Sequence, residues 1–199
     1  MPKDATAPAA RPMRADARRN YTRIVGAAEA VIAEQGAEAS LEEIARHAGV
    51  GSATLHRHFP TRQALLEAVF KSRVEALCAK ARDLLSDPDP GTALVTWLHA
   101  VGAHAVANRG LGASLMRGAR DGDPTVGETC HAMIVSAGDE LLARARRADA
   151  VRPEAGITQL LKLVSAIALA TEDDPDGPAQ AGQLLDLAIE GVRLRRPHG

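Results

Sequence analysis

Aromatic residues are scarce in this chain, 2% of 199 positions. Neither they nor the β-branched residues fall into alternating runs, so the period-two signature of half-buried strands is missing. Cysteine is nearly absent. Cys78 and Cys130 stand far apart in the sequence, in no C-x-x-C or Cys/His ligand spacing, which suits a reducing compartment and speaks against a zinc site. Both are expected to be buried small hydrophobes. No segment stays apolar long enough to span a bilayer, and the early arginines enclose no apolar run of the kind a signal peptide needs, so the expectation is a soluble, cytoplasmic protein with no membrane partner. An excess of charge of one sign is lacking too. A formal net charge of -1 offers a polyanion no global attraction, so a nucleic-acid reading must rest on a local cluster.

What is present is helical. A chain of this length can bury a core without disulfide or metal staples, and its recurrent Ala, with 46% apolar residues overall, predicts an all-α fold. Local basic clusters exist as well. Lys3, Arg11, Arg14, Arg18, Arg19 and Arg23 face only Asp4 and Asp16, and an acid-free stretch over 44–66 holds Arg46, Arg57 and Arg62 beside His47, His56 and His58.

Residues 1–17 are rich in Ala, Pro and Arg without a periodic apolar face and read as a disordered basic arm. Ile24, Val25, Ala28, Val31 and Ile32 then recur at helical spacing up to Gly36, a C-terminal stop. Ser40-Leu41-Glu42-Glu43 reads as a capping box, its hydroxyl and the Glu43 carboxylate each satisfying the other residue's amide, so a helix starts near Leu41. Gly49 can take the left-handed conformation that ends it. Ser52 is expected to cap the next helix, in which Leu55 and Phe59 form an i, i+4 apolar pair. Pro60 stops that helix, and Thr61 is placed to cap a long one from Arg62 towards Leu85. Beyond the breaker Asp87-Pro88-Asp89-Pro90-Gly91, helices are expected over 92–108, 111–119, 125–147, 153–170 and 178–194.

From Leu41 to Phe59 the pattern is that of a helix-turn-helix: Ala45 is small where two short helices cross, Gly49 makes the turn, and Leu55 plugs the core between them. The run Leu41-Glu42-Glu43-Ile44-Ala45, then Ala48-Gly49-Val50, then Thr54-Leu55-His56-Arg57-His58-Phe59-Pro60-Thr61-Arg62 and Ala64-Leu65-Leu66, closely resembles the tetracycline-repressor (TetR) family. The resemblance covers roughly residues 21–69; the remainder is similar only in size and helix layout. It implies a basic arm over 1–17, a DNA-binding domain over 18–66, and an effector-binding and dimerisation domain over 67–199. It also implies that the second helix of the motif lies in the major groove of a palindromic double-stranded DNA operator, with Ser52, Ala53, Thr54 and Arg57 nearest the base edges. The chemistry agrees. Arg57 can donate two hydrogen bonds to guanine, the Thr54 hydroxyl and methyl suit phosphate or thymine methyl, and Ala53 allows close approach. His56, Thr61 and Arg62 would hold phosphates, Thr61 together with the first amides of its helix. The family usually has Tyr where this chain has His56, so imidazole would replace a phenol at the phosphate. Arg18 and Arg19 can follow the backbone or enter the minor groove, although such a run reads equally as a solvated tail.

The resemblance further implies a homodimer released from DNA by a small organic effector. The last two helices are apolar around most of their circumference and call for burial on two sides, which makes Leu160, Leu161, Val164, Leu184, Leu185, Ala188 and Val192 candidates for the dimer interface. Trp97, Val101, His104, Met116, Cys130, His131 and Met133 lie on helices that line the effector cavity in the family, and each is also an ordinary core residue type. Three other functions compete. Enzyme motifs such as H-E-x-x-H, G-x-S-x-G, the P-loop and the dinucleotide glycine fingerprint do not occur, so the expectation is no enzyme, no cofactor and no metal. A helical protein-interaction adaptor would show no operator binding. A redox-sensing regulator through Cys78 and Cys130 lacks neighbouring basic residues to lower both thiol pKa values.

Overall fold

The computed structural model describes residues 10–36, 38–107 and 126–192. Among the described residues there are eight helices and no strand, and the chain divides into two compact units, Met1–Val69 and Phe70–Gly199. The expected helix over 111–119, with Met116, lies outside the described residues.

The first unit holds α1 (Ala10–Gln35), α2 (Leu41–His47), α3 (Ser52–His58) and the opening of α4 (Arg62–Leu84). Within the expected disordered arm over 1–17, residues 10–17 are instead helical: α1 already starts at Ala10 and carries an Asp16–Arg19 ion pair one turn apart. Ala and Arg are strong helix formers, and Pro12 falls in the first turn, where a missing N–H costs nothing. Ile24, Val25, Ala28 and Val31 make the buried stripe of α1. The Ser40 hydroxyl accepts from the Glu43 amide at 3.4 Å, as a cap must. The reciprocal half of the capping box is replaced: the Glu43 carboxylate accepts from Gln35 at 3.0 Å and from Arg46 at 3.2 Å, fastening α2 to the end of α1. Gly49 sits at φ +62°, the left-handed turn that glycine adopts without strain. α3 is capped by Gly51 and not by Ser52, which is already its first residue. Thr61 caps α4 as expected, its hydroxyl accepting from the Ala64 amide at 3.1 Å. The unit extends past Leu66 because Val69, one turn beyond Leu65, is fully buried with Leu65 and Leu66.

The second unit continues α4 and adds α5 (Pro90–Ala107), α6 (Val126–Arg147), α7 (Ile157–Ala170) and α8 (Gly177–Glu190). α5 starts at Pro90, ahead of the expected residue 92, since the Asp89 carboxylate accepts from the Gly91 and Thr92 amides at 2.9 and 3.1 Å and proline suits a first helical position. α7 starts at Ile157, not at 153, where Gly156 donates to the Gln159 side chain at 2.9 Å. α5 packs on α6, α7 and α8. Its Trp97 is the centre of the core, wholly buried, with the indole N–H donating to the Leu77 carbonyl at 3.1 Å. Close approach is needed there: a Cβ added to Gly138 on α6 would lie 2.6–2.7 Å from Ile157 and Trp97.

The residues expected at the dimer interface are mostly committed to this core. Leu160, Leu161, Val164 and Leu185 are buried against the chain's own helices, and Ala188 and Val192 are half-buried. The large apolar side chains left exposed on α7 and α8 are Leu163, Leu169, Leu184 and Leu187, so of the expected set Leu184 alone is exposed. Period counting could not separate the faces, because both helices carry leucine all round and α5 decides which side is covered.

Candidate DNA-binding site and effector cavity

α3 presents two opposed faces. Leu55 is 1% exposed and anchors the helix, while Ser52, Ala53, His56 and Arg57 are exposed and Thr54 is half-buried. The inward plug and outward row alternate because a helix returns to the same face every three to four residues. At the end of α3, Phe59 is buried and Tyr21 of α1 packs over it with ring centroids 5.2 Å apart; His58 is half-buried beside the same Tyr21 ring at 6.5 Å. His58 is therefore a packing residue.

Arg18, Arg19 and Thr61 are exposed as well. Arg62 is placed differently from a free phosphate ligand: its guanidinium donates to the Ala39 carbonyl at 2.6 Å and ties the start of α4 to the loop before α2. Arg23, a member of the N-terminal basic cluster, does similar work. It donates from α1 to the carbonyl of Gly49 at 3.2 Å, and no local pattern announces a bond across 26 positions. Glu42 has its carboxyl held below the usual carboxylate range, first by the Ser40 hydroxyl that donates to it at 2.8 Å and further by the nearby His56 and Arg62.

In the second unit the cavity candidates separate. Trp97 is core. Cys130 is buried too, in one cluster with Val74 and Cys78, so the fold brings together two thiols that the sequence holds far apart. Burial pushes both thiols up, which disfavours the reactive thiolate. Met133 faces a cavity of about 660 Å³ between α4 and α6, lined also by Arg82, Glu128 and Glu140. Val101, His104 and His131 meet around a different one, of about 440 Å³, with Phe70, Ala105, Ile134, Thr158, Leu161, Lys162 and Ser165. The α7 contribution was missed. Thr158, Lys162 and Ser165 fall at i, i+4 and i+7, so a polar stripe on a largely apolar helix was the available signal. Burial, with Arg73 nearby, pushes the His104 imidazole down to about 4, and its ring lies 5.4 Å from Phe70. A third cavity of about 430 Å³ is walled by apolar residues of α5, α7 and α8 and by His99, which meets Asp186 at 2.9 Å.

No group of His, Cys, Asp or Glu suited to a metal ion occurs among the described residues, and no described helix is long and apolar enough to cross a membrane. A helix-turn-helix with a polar outward row, followed by a helical unit with ligand-sized cavities, defines the class of DNA-binding transcriptional regulators. Residues 24–69 match the tetR family of bacterial regulatory proteins, and residues 89–194 match the SbtR-like transcriptional regulator C-terminal domain. The TetR transcriptional regulator SCO0520 from Streptomyces coelicolor is 37% identical with a TM-score of 0.74, over 88% of this chain and 99% of that one. The TetR transcription regulatory protein from Mycobacterium vanbaalenii is 32% identical with a TM-score of 0.68, over 92% and 100% respectively. FadR from Bacillus subtilis, solved with stearoyl-CoA, is 16% identical with a TM-score of 0.52 over 86% and 99%, and shares the fold. No curated protein matches. The chain belongs to the TetR family and is a TetR-type transcriptional regulator.

Proposed function

We propose that the protein is a cytoplasmic homodimeric repressor that reads a palindromic operator with α3 and is released when a small organic effector enters the 440 Å³ cavity. The observation that carries the reading is the outward row of α3, Ser52, Ala53, His56 and Arg57, held by the buried Leu55. In this reading Arg57 pairs with a guanine edge, Ala53 and Thr54 make close contacts, and His56 and Thr61 hold phosphates with Arg18 and Arg19 alongside. Arg62 positions α4 instead of binding DNA.

A helix-turn-helix reads few base pairs, so specificity requires two half-sites at a spacing set by a twofold interface. The exposed Leu163, Leu169, Leu184 and Leu187 support α7 and α8 as the paired helices. For the effector, α4 is continuous from the capped turn at Thr61 to Phe70 on the cavity wall. A ligand that fits one setting of α4 better than another shifts the population towards it. The thiol-based alternative is disfavoured by the raised Cys78 and Cys130 pKa values. The test is a gel shift on the DNA upstream of the protein's own gene: a discrete, competitor-resistant complex that Arg57→Ala weakens and makes less selective is expected. Binding that Arg57→Ala leaves intact overturns the assignment of α3.

A further inference from the structure

Among the cavities of the second unit, the one at Val101 and Leu161 is graded from inside to outside. Val101 and Leu161 are buried and Phe70 is half-buried, whereas Thr158, Lys162 and Ser165 on the same wall are exposed. Among the described residues no acidic one belongs to its lining, and Lys162 brings a cation to it. The 660 Å³ cavity, by contrast, carries Glu128 and Glu140, and among the described residues of the 430 Å³ cavity His99 is the one polar side chain, already facing Asp186. We propose that the 440 Å³ cavity takes a compact apolar carboxylate, with its hydrocarbon body on Phe70, Val101 and Leu161 and its anionic head at the Lys162 rim.

The physical case has three parts. An apolar floor gains from each methylene removed from water. A carboxylate would lose hydration on entering, and that loss is offset only where a cation and hydroxyl donors stand at the position of the head; Lys162 with Thr158 and Ser165, one helical turn away on either side, is such a place. The volume lies near the lower end of the roughly 300–1,000 Å³ range of ligand sites, which selects a compact molecule.

The inference rests on the effector reading, and two readouts keep them apart. Full-length protein is titrated calorimetrically with octanoate and phenylbutyrate, with their primary amides, and with octylamine, and operator release is followed by fluorescence anisotropy. At least one acid is expected to bind at least about tenfold more tightly than its amide, and the amine not at all. Lys162→Gln, at an exposed position, is expected to stay folded and bring acid and amide to equal affinity. An amide or amine binding as tightly as the acid, an undiminished acid preference in Lys162→Gln, or no binding of either acid overturns the proposal. Acids that bind at Lys162 without releasing the operator leave the ligand class standing and refute the effector reading.

Discussion

Replacing Leu187 by Glu separates the proposed dimer surface from the core. Leu163, Leu169, Leu184 and Leu187 are 37%, 70%, 41% and 73% exposed. Their exposed portions amount to a little over two leucine side chains per protomer. At roughly 1.5–3 kcal/mol per leucine fully buried, a symmetric pair gains about 7–13 kcal/mol from these contacts, and Leu187 alone contributes about 2–4 kcal/mol across its two copies. Losing that share weakens association by about 30- to 1,000-fold before any penalty for bringing two carboxylates into the seam. Leu187→Glu is therefore expected to sediment as a monomer at concentrations where the parent is a dimer, with unchanged helical circular dichroism and no palindrome binding. Leu185, two residues earlier and 4% exposed, is the control. A charge there lies unpaired inside the protomer and is expected to unfold the second unit, not merely split the dimer. A dimeric Leu187→Glu protein, or a well-folded monomeric Leu185→Glu protein, would refute the assignment of faces.

Glycine substitutions make opposite predictions at two helical positions. Gly138→Ala forces a methyl against the buried Trp97 and Ile157 and is expected to lower stability by about 1 kcal/mol after the gain in helix propensity, whereas Gly26→Ala on α1, with open space around it, is expected to raise it by about 0.8 kcal/mol. Denaturant titration decides both signs. Arg57→Ala is expected to cost about 1–3 kcal/mol of operator binding and to relax discrimination at one base pair per half-site. Arg62→Ala is expected instead to lower the stability of the DNA-free protein by about 1–2 kcal/mol, through loss of the bond to Ala39; an unchanged melt with a flattened salt dependence of DNA binding would return Arg62 to the phosphates. For His104, the unfolded chain takes up a proton near the ordinary value of 6.5 and the folded chain only near 4. Stability is thus full above about pH 6.5 and falls as the pH drops towards 4, by on the order of 3 kcal/mol or less. His104→Gln is expected to flatten that slope, and the same slope in the variant would assign it to other groups.

The DNA-binding unit was legible because its signals are local. Ser40, Gly49, Leu55 and Thr61 each act on amides or side chains a few positions away, so cap, turn, plug and cap are written nearly in register with the helices they define. The all-helical class followed from periodicity in the same way. Arg23 and Arg62 were not legible as positioning residues, since their carbonyl partners at Gly49 and Ala39 lie 26 and 23 positions away. Nor was the meeting of Cys78 and Cys130 in one cluster, or the gathering of Phe70, His104, Lys162 and Ser165 round one cavity, because the first needs α4 packed on α6 and the second needs four helices in place. The leucines of α7 and α8 show the division most clearly. Composition alone determined that these helices carry more apolar surface than one buried face requires. Which residues are covered, Leu161 and Leu185, and which are left over, Leu163 and Leu187, was decided by the packing of α5 against them, because a two-residue step around a helix crosses from one face to the other.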